Sequence, residues 1–146
     1  MQGTPFHLEV VTPEGRFFDG EVICVTAPGI LGSFGVLANH APFVSALSLG
    51  EMKIHEASGR ERDAALFGGF FEVAGNRAVV VADEAEWVET IDLPRAERAY
   101  QRAHERVMEM FPGIDRERAR RALERARLRM RLAHHASPAA SKPGAR

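Results

Sequence analysis

Several residue types and sequence features are scarce or absent in this chain, and each absence excludes a class of protein. The 146 residues include one cysteine, Cys24, so no internal disulfide can form, and the apolar run "EVICVTAP" predicts a buried, unreactive thiol. No apolar run approaches the roughly 20 residues of a membrane-spanning helix. The start, "MQGTPFHLEVV", lacks the pattern of a signal or transit peptide. We therefore expect no direct insertion into a membrane.

Motifs for catalysis and metal binding are also missing. The chain has no G-x-S-x-G for a nucleophilic serine and no G-x-x-x-x-G-K-[ST] for phosphoryl transfer. His40, in "ANHAPF", is expected to be structural within a turn. His134 and His135 are adjacent, so they point in different directions on a helix and have no acidic or cysteine partner at ligand spacing. We predict no catalytic residue, no metal site and no required cofactor.

The net charge of −1 conceals two halves of opposite charge. Residues 1–91 contain 5 Lys and Arg against 13 Asp and Glu, a balance of −8, whereas residues 92–146 contain 14 against 7, a balance of +7. The change falls at "IDLPRA", Ile91 to Ala96, where the strand-like pattern also stops. Such an asymmetry indicates two structural parts within one small protein.

The first half has the pattern of a β-domain. Short runs of alternating apolar residues, such as "FHLEVV", "EVICVT" and "RAVVVAD", are separated by turn formers such as "PEG", "APG" and "GN". Gly75-Asn76 and Ser58-Gly59 each stand between two such runs and predict tight hairpins. We predict an N-terminal antiparallel β-sandwich or flattened barrel of roughly seven to ten short strands over residues 1–88.

The second half predicts a C-terminal antiparallel two-helix hairpin over residues 89–135. Asp92 is a candidate N-cap, and Pro94 falls in the first turn, where its missing N–H is not needed. Two alanine-rich stripes follow, separated by "FPG", Phe111–Gly113. Narrow stripes bury little area, so the hairpin is able to detach or rearrange. Residues 136–146, rich in Pro, Ala and Ser, predict a disordered tail.

Four arginines of this hairpin are placed to converge. If the helices turn back at residues 111–113, Arg95 falls opposite Arg129, and Arg102 lies near the level of Arg125. Guanidinium groups repel one another unless an anion joins them, and phosphate matches their forked geometry best. The charge pattern alone leaves two alternatives to a phosphate site open. The arginines are simply solvated, or they bind nucleic acid. The few aromatic residues and the slightly acidic net charge argue against a nucleic-acid binder.

Three segments of the chain resemble the motifs of one known family. "GSFGVLANHAPFVSALSLGEMKI" resembles a G-x-x-G-(I/V)-L-x-x-H-A-P segment. "GGFFEVAGNRAVVVADEAE" resembles a G-G-(F/I)-x-E-V strand pair, and "IDLPRA" resembles an (I/L)-D-x-x-R-A motif. These motifs resemble those of the epsilon subunits of bacterial F-type ATP synthase, and the resemblance extends from about Phe6 to Leu132 and keeps the order of the motifs.

The resemblance implies a non-catalytic subunit of a rotor. Family members have an N-terminal β-sandwich that binds the gamma subunit and the ring of c subunits, and this sandwich is followed by a C-terminal helical hairpin. The implied contact lies within residues 30–45, and we assign it to Ser33, Phe34, His40, Ala41 and Pro42. Ser33 replaces a glutamate of some relatives, which argues against an acid-mediated contact with the c-ring. The implied location is peripheral, on the cytoplasmic face of the bacterial cell membrane.

The resemblance also implies regulation by the hairpin. In the family, the hairpin switches between a contracted state on the sandwich and an extended state that contacts the alpha and beta subunits and blocks ATP hydrolysis. In some members ATP, with or without Mg²⁺, binds the contracted form. The resemblance assigns this nucleotide site to Glu86, Asp92, Arg95, Ala96, Arg102, Arg125 and Arg129.

The expected function is therefore to couple gamma to the c-ring in proton-driven ATP synthesis and to restrain ATP hydrolysis. No nucleic-acid partner is expected. Two alternatives have other partners, namely a nucleic-acid-binding basic hairpin and a free-standing nucleotide-sensing module. A salt-sensitive shift with DNA or RNA, without association with a gamma subunit, would favour the first alternative.

Overall fold

The computed structural model describes residues 3–109, 113 and 115–140, and it describes side chains as far as residue 136. The chain divides into two compact units, Met1–Trp87 and Val88–Arg146. This division lies one residue before the boundary expected from the sequence. Within the described ranges, no helix has the length and apolar character needed to cross a membrane.

The first unit is a β-domain in which seven strands are described over residues 3–87. The strands are β1 (Phe6–Thr12), β2 (Gly15–Gly29), β3 (Gly32–Leu37), β4 (Phe43–Glu56), β5 (Glu61–Ala74), β6 (Arg77–Ala82) and β7 (Ala85–Trp87). Their order is β1-β6-β5-β4-β2-β3, with β7 beside β5, and β1 also pairs with β2. Because β1 contacts both β6 and β2, the sheet closes on itself as a flattened barrel.

The pairing of these strands is antiparallel with one exception. β1 and β6 run parallel, and the other described pairs are antiparallel. Along β1 the buried residues Phe6, Leu8 and Val10 alternate with half-buried His7 and Glu9. One face of the sheet therefore fills the core, and the other carries the surface features described below. Cys24 is half-buried on β2, so the expectation of full burial is wrong.

Glycine and asparagine shape the hairpins of β5. Gly75 and Asn76 join β5 to β6 with φ angles of 56° and 58°, which a two-residue hairpin turn of this kind requires. Gly59 has a φ of 96° in the turn from β4 to β5, so both predicted hairpins are confirmed. Gly69 has a φ of +130°, and a Cβ there would lie 2.1 Å from the carbonyl oxygen of Val81. Only glycine allows β5 and β6 to approach this closely.

The second unit contains a 3-10 turn (Val88–Thr90), helix α1 (Leu93–Met108) and helix α2 (Arg116–Ala140). The two helices pack against each other, which confirms the predicted β-domain followed by a helical hairpin. The predicted disordered tail begins at residue 136, whereas residues 136–140 continue α2 as far as Ala140. Three of these five residues are alanine, which has the highest helix propensity. The predicted turn residues Phe111 and Pro112, the stripe residue Met110, Ile114 and the tail residues 141–146 lie outside the described residues.

Candidate functional site

Each helix of the hairpin begins with an aspartate cap. Oδ1 of Asp92 accepts a hydrogen bond from the backbone N–H of Arg95 at 3.1 Å, and Pro94 lies in the first turn of α1. α2 begins in the same way, with the backbone N–H of Arg118 donating to Oδ1 of Asp115 at 3.0 Å. Both carboxylates satisfy N–H groups that have no partner within the helix. The cap predicted for α1 is confirmed, and α2 supplies a matched second example.

Small side chains form the contact between the two helices. Ala96 and Ala103 of α1 and Ala119 and Ala126 of α2 are all at most 5% exposed. Because each alanine presents only a methyl group, the helices approach closely while burying little apolar area. The predicted alanine seam is confirmed at these four positions.

A groove of about 810 Å³ lies between α1 and α2, and its polar lining is mainly guanidinium groups. The charged residues that line it are Arg102, Arg106, Arg118, Arg125, Arg129, Glu109 and Asp115. Five cations against two anions give the groove a positive balance. Since a guanidinium donates paired hydrogen bonds to phosphate oxygens, the groove is suited to a phosphorylated ligand.

The groove brings together most of the arginines that were predicted to converge. Three of the four line it, namely Arg102, Arg125 and Arg129. Arg95 is exposed at the start of α1 and does not line it. Arg106 and Arg118 line the groove and were not predicted. Arg106 follows Arg102 by four residues, so the helical spacing alone was a sufficient signal for it.

The other members of the predicted nucleotide site have different surroundings. The Asp92 carboxylate is occupied by the cap of α1, although it is exposed and has a second oxygen. Ala96 is 3% exposed in the seam, so its side chain is covered by protein. Glu86 is half-buried on β7, in the first of the two units. The groove is therefore lined by arginines of both helices and by none of these three residues.

Two of the residues predicted to contact partner subunits lie on β3. The hydroxyl of Ser33 donates to the carbonyl of Ala27 at 3.3 Å. The ring of Phe34 packs edge-on against the rings of Phe43 and Phe71, with centres 5.1 and 5.0 Å apart. Phe71 is fully buried and Phe34 is half-buried against it, so Phe34 packs at the edge of the core.

The loop from β3 to β4 carries the other three, and it is tied to a neighbouring turn. The backbone N–H of Asn39 donates to Oδ1 of Asn76 at 2.7 Å. Nδ1 of His40 lies 2.7 Å from the carbonyl oxygen of Ala41, so this nitrogen carries the proton. Ala41 and Pro42 are exposed. The loop is therefore held by its own polar contacts and presents Ala41 and Pro42 to the solvent.

An apolar surface on the outside of the sheet was not predicted. Val44, Phe70 and Val81 are 66%, 60% and 51% exposed. Phe70 lies directly opposite Val81 on β6 and opposite Ala46 on β4, so these side chains share one face, and Val44 joins them two residues before Ala46. A contiguous exposed apolar surface of this kind marks an interaction site.

The turn between β2 and β3 extends this surface. Ile30 is 61% exposed and Leu31 is 100% exposed. The backbone N–H of Ile30 donates to the carbonyl of Ala46 at 3.1 Å, which holds the turn beside β4. We call the following residues the outer apolar patch: Ile30, Leu31, Val44, Phe70 and Val81.

Comparison with known proteins assigns the chain to a family. Residues 5–88 match the beta-sandwich domain of the ATP synthase delta/epsilon chain, and residues 89–134 match its long alpha-helix domain. The chain belongs to the ATP synthase delta/epsilon chain family. The ATP synthase epsilon chain of Nitratidesulfovibrio vulgaris is 43% identical over 126 residues, which are 86% of this chain and 93% of the relative. The epsilon chain of Ruminiclostridium cellulolyticum is 42% identical over 125 residues, 86% and 92% of the two chains.

Solved structures share the fold of this delta/epsilon chain. A chain in the OSCP/F1/c-ring structure of the Euglena gracilis mitochondrial ATP synthase has a TM-score of 0.77 at 20% identity, covering 94% of this chain and 84% of that one. A chain in the central stalk and c-ring structure from Tetrahymena thermophila has a TM-score of 0.61 at 17% identity, covering 91% and 99%. The resemblance to bacterial epsilon subunits is thereby confirmed by the curated relatives and the family match.

Proposed function

We propose that this chain is a non-catalytic rotor subunit that joins the gamma subunit to the c-ring in proton-driven ATP synthesis. Its relatives are named epsilon chains, and its structural neighbours come from assemblies that contain the c-ring. The observation that carries the proposal is the outer apolar patch, because an exposed apolar surface is stabilised when a partner covers it. The chain would act through contacts alone, and the chemical step would belong to another subunit.

The predicted contact loop leads directly into β4, the strand that carries Val44 of the outer apolar patch. The ring of His40 lies 5.8 Å from the ring of Phe43 at the start of β4, and Val44 is the next residue, on the opposite face of the strand. The bond between Asn39 and Asn76 fixes the loop from its other side. We therefore extend the proposed interface from the predicted residues to the whole patch, with gamma and the c-ring as the partners.

Replacing Phe70 by glutamate tests this interface. Phe70 is 60% exposed, so the change spares the core but places a charge where a partner must exclude water. We expect about a tenfold or greater loss of binding to a gamma–c-ring subcomplex in a pull-down titration. Met108→Glu is the matched control, because Met108 is 67% exposed at the end of α1, outside the proposed interface. Unchanged binding of the Phe70 variant, or equal loss in both variants, would contradict the proposed interface.

We further propose that ATP is a regulatory ligand of the hairpin, with its phosphates in the groove between α1 and α2. The positive balance of the groove supports this, because a polyphosphate relieves the repulsion among its arginines. The proposed phosphate contacts keep Arg102, Arg125 and Arg129 of the predicted site and add Arg106 and Arg118, which line the same groove. Mg²⁺ would be an accessory to the phosphates and not a requirement for folding.

Two pairs of arginines on α2 provide a test of the groove. Arg125 and Arg129 line it, whereas Arg127 and Arg131 are exposed, have the same spacing and do not line it. We expect Arg125→Ala with Arg129→Ala to weaken ATP binding about tenfold or more in calorimetric titration of the full chain. Arg127→Ala with Arg131→Ala should bind like the wild type. Equal weakening in both pairs would mean a diffuse charge effect, and unchanged binding in the first pair would exclude the groove.

We also propose that the hairpin restrains ATP hydrolysis, with the extended hairpin contacting the alpha and beta subunits. The alanine seam supports this, because a contact that buries little area can exchange for another with a small change in free energy. Truncation after Glu89 removes α1 and α2 and leaves residues 1–89, which contain the compact unit Met1–Trp87. We expect the truncated subunit to assemble and to raise the ATPase activity of the complex. Equal activity with intact assembly would show that the hairpin does not inhibit.

We expect a peripheral location at the cytoplasmic face of the membrane, reached through the partner subunits. The basic groove also supports a second candidate, a nucleic-acid-binding or free-standing nucleotide-sensing module. Two assays distinguish this candidate from the rotor subunit. One is an electrophoretic mobility shift with DNA or RNA at increasing salt, and the other is binding to the gamma subunit. Salt-sensitive binding to DNA or RNA without binding to gamma would favour the second candidate.

A further inference from the structure

Imidazole and carboxylate side chains lie together on the outer face of β1 and β2. In the register of these strands His7 is opposite Glu21 and Glu9 is opposite Asp19, so all four side chains point to the same side. One ligand atom from each of His7, Glu9 and Asp19 lies within 4.8 Å of the others. None of the roles described above uses these residues.

We propose that His7, Glu9 and Asp19 form a binding site for a divalent transition-metal ion, with Zn²⁺ as the best match. Nε2 of His7 lies 2.5 Å from Oδ1 of Asp19. One imidazole nitrogen and two carboxylate oxygens are ligands that Zn²⁺ accepts, and water can complete the coordination. The imidazole disfavours Mg²⁺ and Ca²⁺, which are bound mainly by oxygen. The sequence did not predict this site because its ligands come from two strands.

Glu21 orients the imidazole for this role. Oε1 of Glu21 lies 2.9 Å from Nδ1 of His7. Because Nε2 lies at hydrogen-bond distance from Oδ1 of Asp19, Nε2 donates to Asp19 in this structure, and an entering metal ion would take the place of that proton. A carboxylate that holds the second nitrogen of a metal-binding histidine fixes its tautomer and raises its basicity.

Arg16 and Arg77 hold the two carboxylates without occupying all their oxygens. Nη1 of Arg16 lies 3.2 Å from Oδ2 of Asp19, and Nη2 of Arg77 lies 3.1 Å from Oε2 of Glu9. Nε of Arg16 is 3.9 Å from Oε1 of Glu9, beyond hydrogen-bond distance. The two arginines therefore leave Oε1 of Glu9 and Oδ1 of Asp19, the oxygen that contacts His7, for a metal. The carboxylates, including that of Glu21, outnumber the guanidiniums by one, so a cation is attracted when His7 is neutral.

The size of the site requires a small movement on metal entry. A tetrahedral ion with bonds of about 2.1 Å holds its ligand atoms roughly 3.4 Å apart. The present contact between His7 and Asp19 is shorter, so the Asp19 carboxylate must move outward. Its side chain is 33% exposed on the surface of β2, which leaves room for that movement.

Calorimetric titration of the full chain with Zn²⁺ tests the proposal. We expect binding at His7 that weakens about 100-fold or more in His7→Asn and about tenfold in Glu21→Gln, which removes the carboxylate that orients the ring and one negative charge beside the site. Zn²⁺ should also raise the thermal midpoint of the wild type and leave that of His7→Asn unchanged. His55→Asn is the matched control, because His55 lies 3.3 Å from the carboxylate of Glu61 and does not belong to the cluster of His7, Glu9 and Asp19.

Two further measurements keep the result decisive. His134→Asn with His135→Asn removes the adjacent histidines of α2, and we expect it to bind Zn²⁺ at the β-domain like the wild type. If His7→Asn fails to fold, the absorption spectrum of Co²⁺ bound to the wild type and to Glu21→Gln replaces it. Wild-type affinity in His7→Asn, or no binding by the wild type, would overturn the proposal. In the latter case a protonated His7 between Asp19 and Glu21 accounts for the contacts.

Discussion

Replacing Asp92 separates its role as a helix cap from its predicted role in nucleotide binding. Oδ1 of Asp92 accepts the Arg95 N–H at 3.1 Å. Alanine removes this acceptor, whereas asparagine keeps an oxygen there and removes the negative charge. Both variants therefore lose the negative charge, but only the alanine variant also loses the hydrogen bond of the cap.

The expected magnitude follows from the geometry of this cap. An exposed N-cap hydrogen bond contributes ~1 kcal/mol to helix stability, and the charge of an acid at a helix N-terminus contributes ~0.5 kcal/mol. We expect Asp92→Ala to accelerate hydrogen exchange in the first turn of α1 about fivefold or more, and Asp92→Asn to accelerate it about twofold. Asp115→Ala is the control, because it loses the equivalent 3.0 Å bond in α2.

The same variants are then titrated with ATP. If the Asp92 carboxylate contacts the nucleotide, both variants bind ATP more weakly than the wild type, by similar factors. If Asp92 only caps the helix, Asp92→Asn keeps wild-type affinity. Wild-type exchange rates in Asp92→Ala would refute the capping argument, whatever the outcome with ATP.

Two further changes test the β-domain. Gly69→Ala would place its Cβ 2.1 Å from the Val81 carbonyl oxygen, so denaturant unfolding should show a loss of ~3 kcal/mol or more. Gly59→Ala, at a φ of +96° with no atom within 4 Å, should lose only about 1 kcal/mol, and equal losses would refute the steric argument. Asn76→Gly keeps the positive φ but removes the 2.7 Å acceptor of the Asn39 N–H. Exchange at Asn39 should then accelerate about fivefold, and an unchanged rate would mean that this bond does not hold the loop.

Features that depend on neighbouring residues could be predicted from the sequence. The cap of α1 by Asp92 could be predicted because its donor, the N–H of Arg95, lies only three residues later in the chain. Gly75-Asn76 forms its turn because those two residue types tolerate positive φ. The alanine seam follows from helical periodicity, which also places Arg102, Arg125 and Arg129 on the groove.

Features that depend on residues far apart in sequence could not be predicted. The closure of the sheet by β1 and the pairing of Phe70 with Val81 require the strand register, which alternation alone does not supply. Leu128 and Leu132 are 6% and 3% exposed, although they lie outside the alanine stripe. In each of these cases the outcome depends on tertiary packing, which no local pattern records.

The closure of the sheet by β1 sets an order for folding during synthesis. β1 is made before the other six strands, but His7 lies opposite Arg77, 70 residues later in the chain. Early in synthesis β1 can pair only with β2, in an antiparallel hairpin. The other edge of β1 stays unpaired until β6 has left the ribosome. The helices, by contrast, form from local contacts. We therefore expect the parallel strand contact to form late, so that a nascent β-domain depends on chaperones until Arg77–Ala82 emerges.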